Sequence, residues 1–265
     1  MAADVTASPF AQAGARVRFE WGLPGALALA EHTASQAVFV VVDVLSFCTS
    51  ISVACDLGIA CYPYRWTDDR AQQYADARSA VLAGGRRQGG LSLSPASLRA
   101  ADGVRRLVLP SPNGSTISFA LRERGCRVVA GCLRNATAVG SWLDQRLQAD
   151  STLAVAVIAA GERWPDGSLR PAIEDLWGAG AILGAIGAGL TFSPEARGAM
   201  AGFAAVAGLM PEQLRACASG RELSRYGFGG DVEIAAEGDS TTVVPVLVED
   251  RFLPAPQAID GRTRL

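Results

Sequence analysis

Ala-Val-Phe-Val-Val-Val-Asp-Val-Leu, residues 37–45, decides how this chain is to be read. The run is short, rich in β-branched residues and free of charge until Asp43. It predicts a strand buried on both faces, as in a parallel sheet. Outward from it, residues 46–57 read as a helix closed by Gly58, 59–64 as a second strand, and 68–82 as an amphipathic helix capped by Asp68. Beyond a Gly/Arg/Ser-rich loop at 84–94 come a strand at 106–109, a helix at 112–124 stopped by Gly125, and a strand at 127–130. A helix at 135–148, a strong strand at 152–160, a long loop at 161–172 and a helix from Ile173 follow. Helices at 194–208, 211–226 and 230–236 precede a last strand at 242–248. This alternation predicts an α/β fold: a three-layer α/β/α sandwich with a mainly parallel sheet, built as one body or as two closely joined lobes. Residues 1–15 read as a loose N-terminus, 16–250 as the folded domain and 251–265 as a polar, proline-bearing tail.

Composition removes several chemistries. The chain has 265 residues, 49% hydrophobic, with 24 basic and 26 acidic side chains. A near-neutral balance argues against nucleic acid as a partner, because a phosphate backbone demands a basic face. Every basic residue is arginine, so a lysine Schiff base and a Walker-type lysine are excluded. The single histidine, His32, reads as a surface residue and rules out a multi-histidine metal site. The six cysteines form no Cys-x-x-Cys pair and suit buried thiols in a reducing compartment. The start of the chain carries no signal-like core, and the uncharged stretch 176–194 holds five glycines, which favours a closely packed buried helix over a membrane span. The expectation is a cytoplasmic protein with no membrane partner, and the sequence leaves room for a homo-oligomer.

In open parallel sheets ligands sit beyond the carboxyl ends of the strands, and there the polar residues gather. Asp43 is followed by Ser46, Thr49 and Ser50. The later strands lead into Ser111-Pro-Asn113-Gly114-Ser115-Thr116, Gly131-Cys-Leu-Arg134-Asn135, and Gly161-Glu162-Arg163 ahead of Glu174-Asp175. Helix N-termini, glycine and hydroxyls suit a phosphate, and carboxylates beside a phosphate imply Mg²⁺. For any one such loop helix capping is the better reading, and acids in a first helical turn commonly serve the dipole; four such loops at one edge favour a site. Asp43 is harder to explain by capping, since an unpaired carboxylate in an apolar strand is costly. No Gly-x-x-x-x-Gly-Lys loop is present, and Leu45 stands where a haloacid-dehalogenase site needs a second aspartate. Gly178-Ala-Gly180-Ala-Ile-Leu-Gly184 lies within a helix and reads as helix packing rather than a dinucleotide fingerprint.

The same loops resemble the ComB family of 2-phosphosulfolactate phosphatases. The likeness is carried by Asp43-Val-Leu-Ser-Phe-Cys-Thr49-Ser50, Gly89-Gly-Leu-Ser-Leu-Ser-Pro95, Ser111 to Thr116, Gly131 to Ala136, Ala160-Gly161 and Ile173 to Gly180. It continues through Ser219-Gly220-Arg221-Glu-Leu223, Gly227, Asp231-Val, Ala235, Asp239 and Val244-Pro245. The resemblance implies Mg²⁺-dependent hydrolysis of 2-phosphosulfolactate to sulfolactate, a step toward coenzyme M. In that scheme Asp43, Glu174 and Arg221 are catalytic, and Mg²⁺ is held among Asp43, Glu174, Asp175 and Asp231. The small phosphorylated acid is gripped by Ser111, Asn113, Gly114, Ser115, Thr116, Asn135 and Gly161. Two departures stand out. Ser46 occupies the place of an arginine usual after Asp-Val-Leu, and Ser-Leu-Ser-Pro replaces a Gly-Asn-Ser-Pro loop. Arg134, Arg163 and Arg221 are the candidates to supply the missing cation. The departures also motivate an alternative expectation, a non-catalytic protein that binds a phosphorylated acid on the same scaffold; a thiol mechanism through Cys48 is a third.

Overall fold

The computed structural model describes residues 8–33, 37–65 and 70–256. The opening run forms β2 (Ala37–Val42), with all six residues buried. Its side chains alternate between two cores with the period of a strand. Val38, Val40 and Val42 pack with Val139 and Leu143 of α6 (Ala136–Ala149) and with Ile182 and Leu183 of α7 (Ile173–Gly184). Phe39 and Val41 face Leu29 of α1 (Gly22–Thr33), Ile51 of α2 (Phe47–Asp56) and Leu121 of α5 (Gly114–Glu123). Helices therefore cover both faces of the sheet, as expected for three layers. Each fully buried Val, Leu or Phe contributes roughly 1.5–3 kcal/mol, so these two clusters hold the layers together.

Nine strands form the main sheet, in the order β1-β7-β2-β6-β10-β11-β3-β5-β4. One parallel block joins β1 (Val17–Trp21), β7 (Ala154–Ala159), β2 and β6 (Arg127–Gly131). The other joins β3 (Ala60–Tyr64), β5 (Arg106–Pro110) and β4 (Val81–Leu82). The antiparallel hairpin of β10 (Pro245–Val248) and β11 (Arg251–Pro254) links them, pairing antiparallel with β6 at Val246↔Val129 and with β3 at Phe252↔Cys61. Residues 251–254, read from sequence as tail, thus sit inside the sheet, with Phe252 fully buried against Phe47. Apolar alternation over four residues is too short to stand out beside two prolines.

Other differences have similar causes. Residues 17–33 form β1 and α1, which their mixed polarity concealed. The helix expected over 68–82 is α3 (Arg70–Asp76); the chain then turns at Ser79, φ 48°, and Val81–Leu82 complete the sheet edge. Asp68 lies outside the described residues. The expected 211–226 helix is broken into α9 (Met210–Ala216) and α10 (Ala218–Arg225) by extended Cys217, whose sulfur accepts the Gly220 amide. Short α4 (Pro95–Arg99), α8 (Pro194–Ala204) and α11 (Gly229–Ala235) complete the helices. Glycine packing in α7 is as expected: a Cβ on Gly178 would lie 2.7 Å from Val44, and one on Gly180 would strike the Ala199 carbonyl of α8. His32 is exposed at the end of α1, all six cysteines are free and buried, and no described helix is long and apolar enough to cross a membrane.

Candidate active site

The cost of burying Asp43 is met by backbone amides. Its Oδ1 accepts from the Phe47 N–H at 3.0 Å and its Oδ2 from the Gly114 N–H at 3.0 Å. The carboxyl ends of β2 and β5 therefore meet through one side chain. Glycine is required at 114, because a Cβ would strike the Phe47 ring and stand 2.8 Å from Asp43 Oδ2. Asp175 makes a matching clasp, with Val44 N–H to Oδ1 at 2.7 Å and Gly161 N–H to Oδ2 at 2.9 Å. Gly161 has φ +66° and faces Leu169 and the Arg170 carbonyl, so a side chain there is excluded twice over. Burial lifts the Asp43 carboxyl to about 6, with the charge of Glu174 adding to the rise and its two amide bonds and Arg86 opposing it. Asp175 is pushed well above the usual carboxylate range by burial, then by Asp43 and Glu174. Glu174 is itself buried, and burial together with its charge raises the Cys217 thiol to about 12.

The acid that lines both cavities is Glu162, which sequence reasoning passed over. It begins β8 (Glu162–Arg163), which follows β7 and pairs with β9 (Leu169–Arg170) as a separate two-stranded hairpin. Its Oε2 accepts from Asn113 Nδ2 at 2.8 Å. Burial, then the charges of Asp43 and Glu174, lift its carboxyl to about 7, against the pull of Asn113 and Arg170. Glu162 lines a cavity of about 530 Å³ whose wall includes Leu45, Arg86, Ser219, Tyr226 and Phe228. It also lines a second cavity of about 250 Å³, together with Asn113 and Leu169. Its position beyond β7, in the Gly161-Glu162-Arg163 turn, was the available signal; nothing local distinguishes it from a solvated acid.

The predicted residues divide. Asp43, Gly114, Gly161, Glu174 and Asp175 share one buried acidic neighbourhood, and Asn113 reaches it through Glu162. Ser115 Oγ is turned inward, 2.7 Å from the Tyr64 carbonyl and 2.6 Å from that of Ser111, and Thr116 lines neither cavity. Ser111 Oγ lies 3.4 Å from the Asn113 amide, bracing the same turn. Asn135 is fully buried and fully used: it accepts from Cys132 N–H and donates to the carbonyls of Ala130 and Val243. Asp231 is spent on Ser94, the Ala96 amide and Arg86. Arg221 is exposed on α10 and lines neither cavity.

The guanidinium beside Ser46 belongs to Arg86, which was not among the arginines proposed to stand in there. Its Nη2 donates to Ser46 Oγ at 2.9 Å. Arg134 is instead buried against Asp56 and Glu237. Cys48 is ill suited to nucleophilic work: its thiol donates to the Val41 carbonyl, and burial first, then Asp43, pushes its pKa well up.

The sequence placed Mg²⁺ on some of Asp43, Glu174, Asp175 and Asp231. Asp231 is engaged by Arg86, Ser94 and the Ala96 amide, and among the described residues no three or more His, Cys, Asp or Glu side chains are grouped to hold a metal. The donor chemistry still suits a hard cation in another way. Mg²⁺ commonly uses one or two carboxylates and completes its shell with water and phosphate oxygens. The upward shift of Asp43 by Glu174 is the kind of repulsion a cation would relieve.

The chain belongs to the 2-phosphosulpholactate phosphatase family, whose model matches residues 26–250. It is also similar to a protein of Deinococcus radiodurans described as a "Probable 2-phosphosulfolactate phosphatase", at 27% identity over 226 residues, covering 82% of this chain and 90% of that one.

Proposed function

We propose that this family member hydrolyses a small phosphorylated acid, 2-phosphosulfolactate being the first candidate, and that Mg²⁺ supports the reaction. The observation that carries this reading is Glu162: a carboxyl near 7, fixed by Asn113, in the wall of a 530 Å³ cavity and under the influence of Asp43 and Glu174. Three neighbouring carboxylates in different environments divide the work. Glu162, poised near neutral pH, takes the proton of the attacking water. Asp43 and Glu174 would hold Mg²⁺, which when bound supplies positive charge to the phosphoryl oxygens. Asn113 orients Glu162, and Asp175 fixes the backbone at Val44 and Gly161.

The test is a panel of phosphomonoesters including 2-phosphosulfolactate, assayed for phosphate release with Mg²⁺ and with chelator. Release that requires Mg²⁺ is expected. Tight binding of the same compounds, seen as a thermal shift without release, would instead establish the non-catalytic reading.

A further inference from the structure

Two adjacent arginines face the large cavity, and neither is explained by the acid cluster. Arg86 is anchored on three sides: Nε to Asp231 Oδ2 at 3.3 Å, and Nη2 to Ser46 Oγ and to the Leu93 carbonyl at 2.8 Å. Asp231 is in turn held by Ser94 and the Ala96 amide, so the guanidinium is set before any ligand arrives. Its Nη1 has no hydrogen-bond partner among the described residues. The group stands 5.6 Å from the Phe228 ring, and Arg87 stands 5.1 Å from the Tyr226 ring. Stacking on aromatic faces leaves the donor edges of a guanidinium free for a planar or tetrahedral oxyanion. Arg87 has no carboxylate partner among the described residues. Both line the cavity that Glu162 also lines, as does Ser219 of α10, whose hydroxyl accepts from Arg170 Nη2 of the β8–β9 hairpin. Glu222 shares the lining and disfavours an anion on its own side.

We propose that Arg86 and Arg87 form a second anion subsite, which holds a sulfonate or carboxylate of the substrate while its phosphoryl group lies toward Glu162. The proposal rests on the phosphomonoester reading and deepens it: the cavity selects esters carrying a further acid over simple monoesters. A purely structural role for Arg86, tying the 84–94 loop to α11, would affect all substrates alike.

The discriminating quantity is the ratio of kcat/KM for 2-phosphosulfolactate to that for p-nitrophenyl phosphate, which carries no second acid. In Arg87→Gln the ratio should fall about 10-fold or more, mainly through KM, in line with the loss of a charge-assisted hydrogen bond. Arg86→Lys keeps the charge and loses the fork, and should give a smaller fall in the same direction. Calorimetry with sulfolactate, which has no phosphoryl group, reads the subsite without turnover: Arg87→Gln should weaken its binding by a similar factor. If no ester is hydrolysed at all, the functional reading fails while calorimetry still judges the subsite. A ratio unchanged within twofold in both variants, no sulfolactate binding to the wild type, or an unchanged Kd in Arg87→Gln would overturn the proposal.

Discussion

The turns after β5 and β6 look alike in sequence and do opposite things in the structure. Ser111-Pro-Asn113-Gly114 and Cys132-Leu-Arg134-Asn135 each follow a buried strand and each lead into a helix. Asn135 spends its bonding on Cys132, Ala130 and Val243, and Arg134 is enclosed by Asp56 and Glu237. Asn113 donates to Glu162, an acid open to two cavities, and the next amide supports Asp43. A polar residue belongs to a site when it directs a group that faces a cavity. Saturated by backbone partners, the same residue is a brace.

That contrast can be broken by mutation, and the largest effect is expected at Asp43. Asp43→Asn places an amide donor against one of two backbone N–H groups and removes the charge; phosphate release should fall by about 10³-fold or more, with a lower melting temperature. Retained turnover would remove Asp43 from the machinery. Asn135→Ala should cost about 2–4 kcal/mol of stability, by denaturant unfolding, since it strands buried backbone groups, while turnover per folded molecule stays the same. Asn113→Ala should do the reverse. Stability should change little, turnover should drop roughly 10-fold, and the rising limb of the pH–rate profile should move to higher pH, because the bond that holds the Glu162 carboxyl down is lost. A profile that does not move would show that Asn113 does not tune Glu162.

The smallest effect is on stability against pH. Asp43, near 6, and Glu162, near 7, are both raised above the value of about 4 expected in an unfolded chain. The native state therefore holds protons that the unfolded state has released. The stability these groups contribute is complete below about pH 4 and is lost as pH rises through 6 to 7. Thermal melts of the metal-free protein should show this decline, and Glu162→Gln should flatten its upper part.

The sequence carried the architecture further than it carried the site. A six-residue buried run marked an interior strand of the sheet, and alternation marked the layers, because burial on both faces leaves a trace in composition. The bridging hairpin at 245–254 was only half legible: its second strand is four residues ending in a proline, and its pairing is set by partners far along the chain. Asp43 was legible because a charge inside an apolar strand demands a reason. Glu162 was not, since its shift comes first from burial and then from Asp43 and Glu174, all of which tertiary structure alone supplies. Nor could Arg86 be matched to Ser46 across forty residues, since hydrogen bonds between loops have no period to read.

The most direct test compares Glu162→Gln with Asn135→Ala in phosphate release from 2-phosphosulfolactate, each rate scaled to the folded fraction. Glu162→Gln should be slower than wild type by about 10²-fold or more, while Asn135→Ala turns over at the wild-type rate. Full activity in Glu162→Gln, or loss confined to Asn135→Ala, would contradict the placing of the site at Glu162.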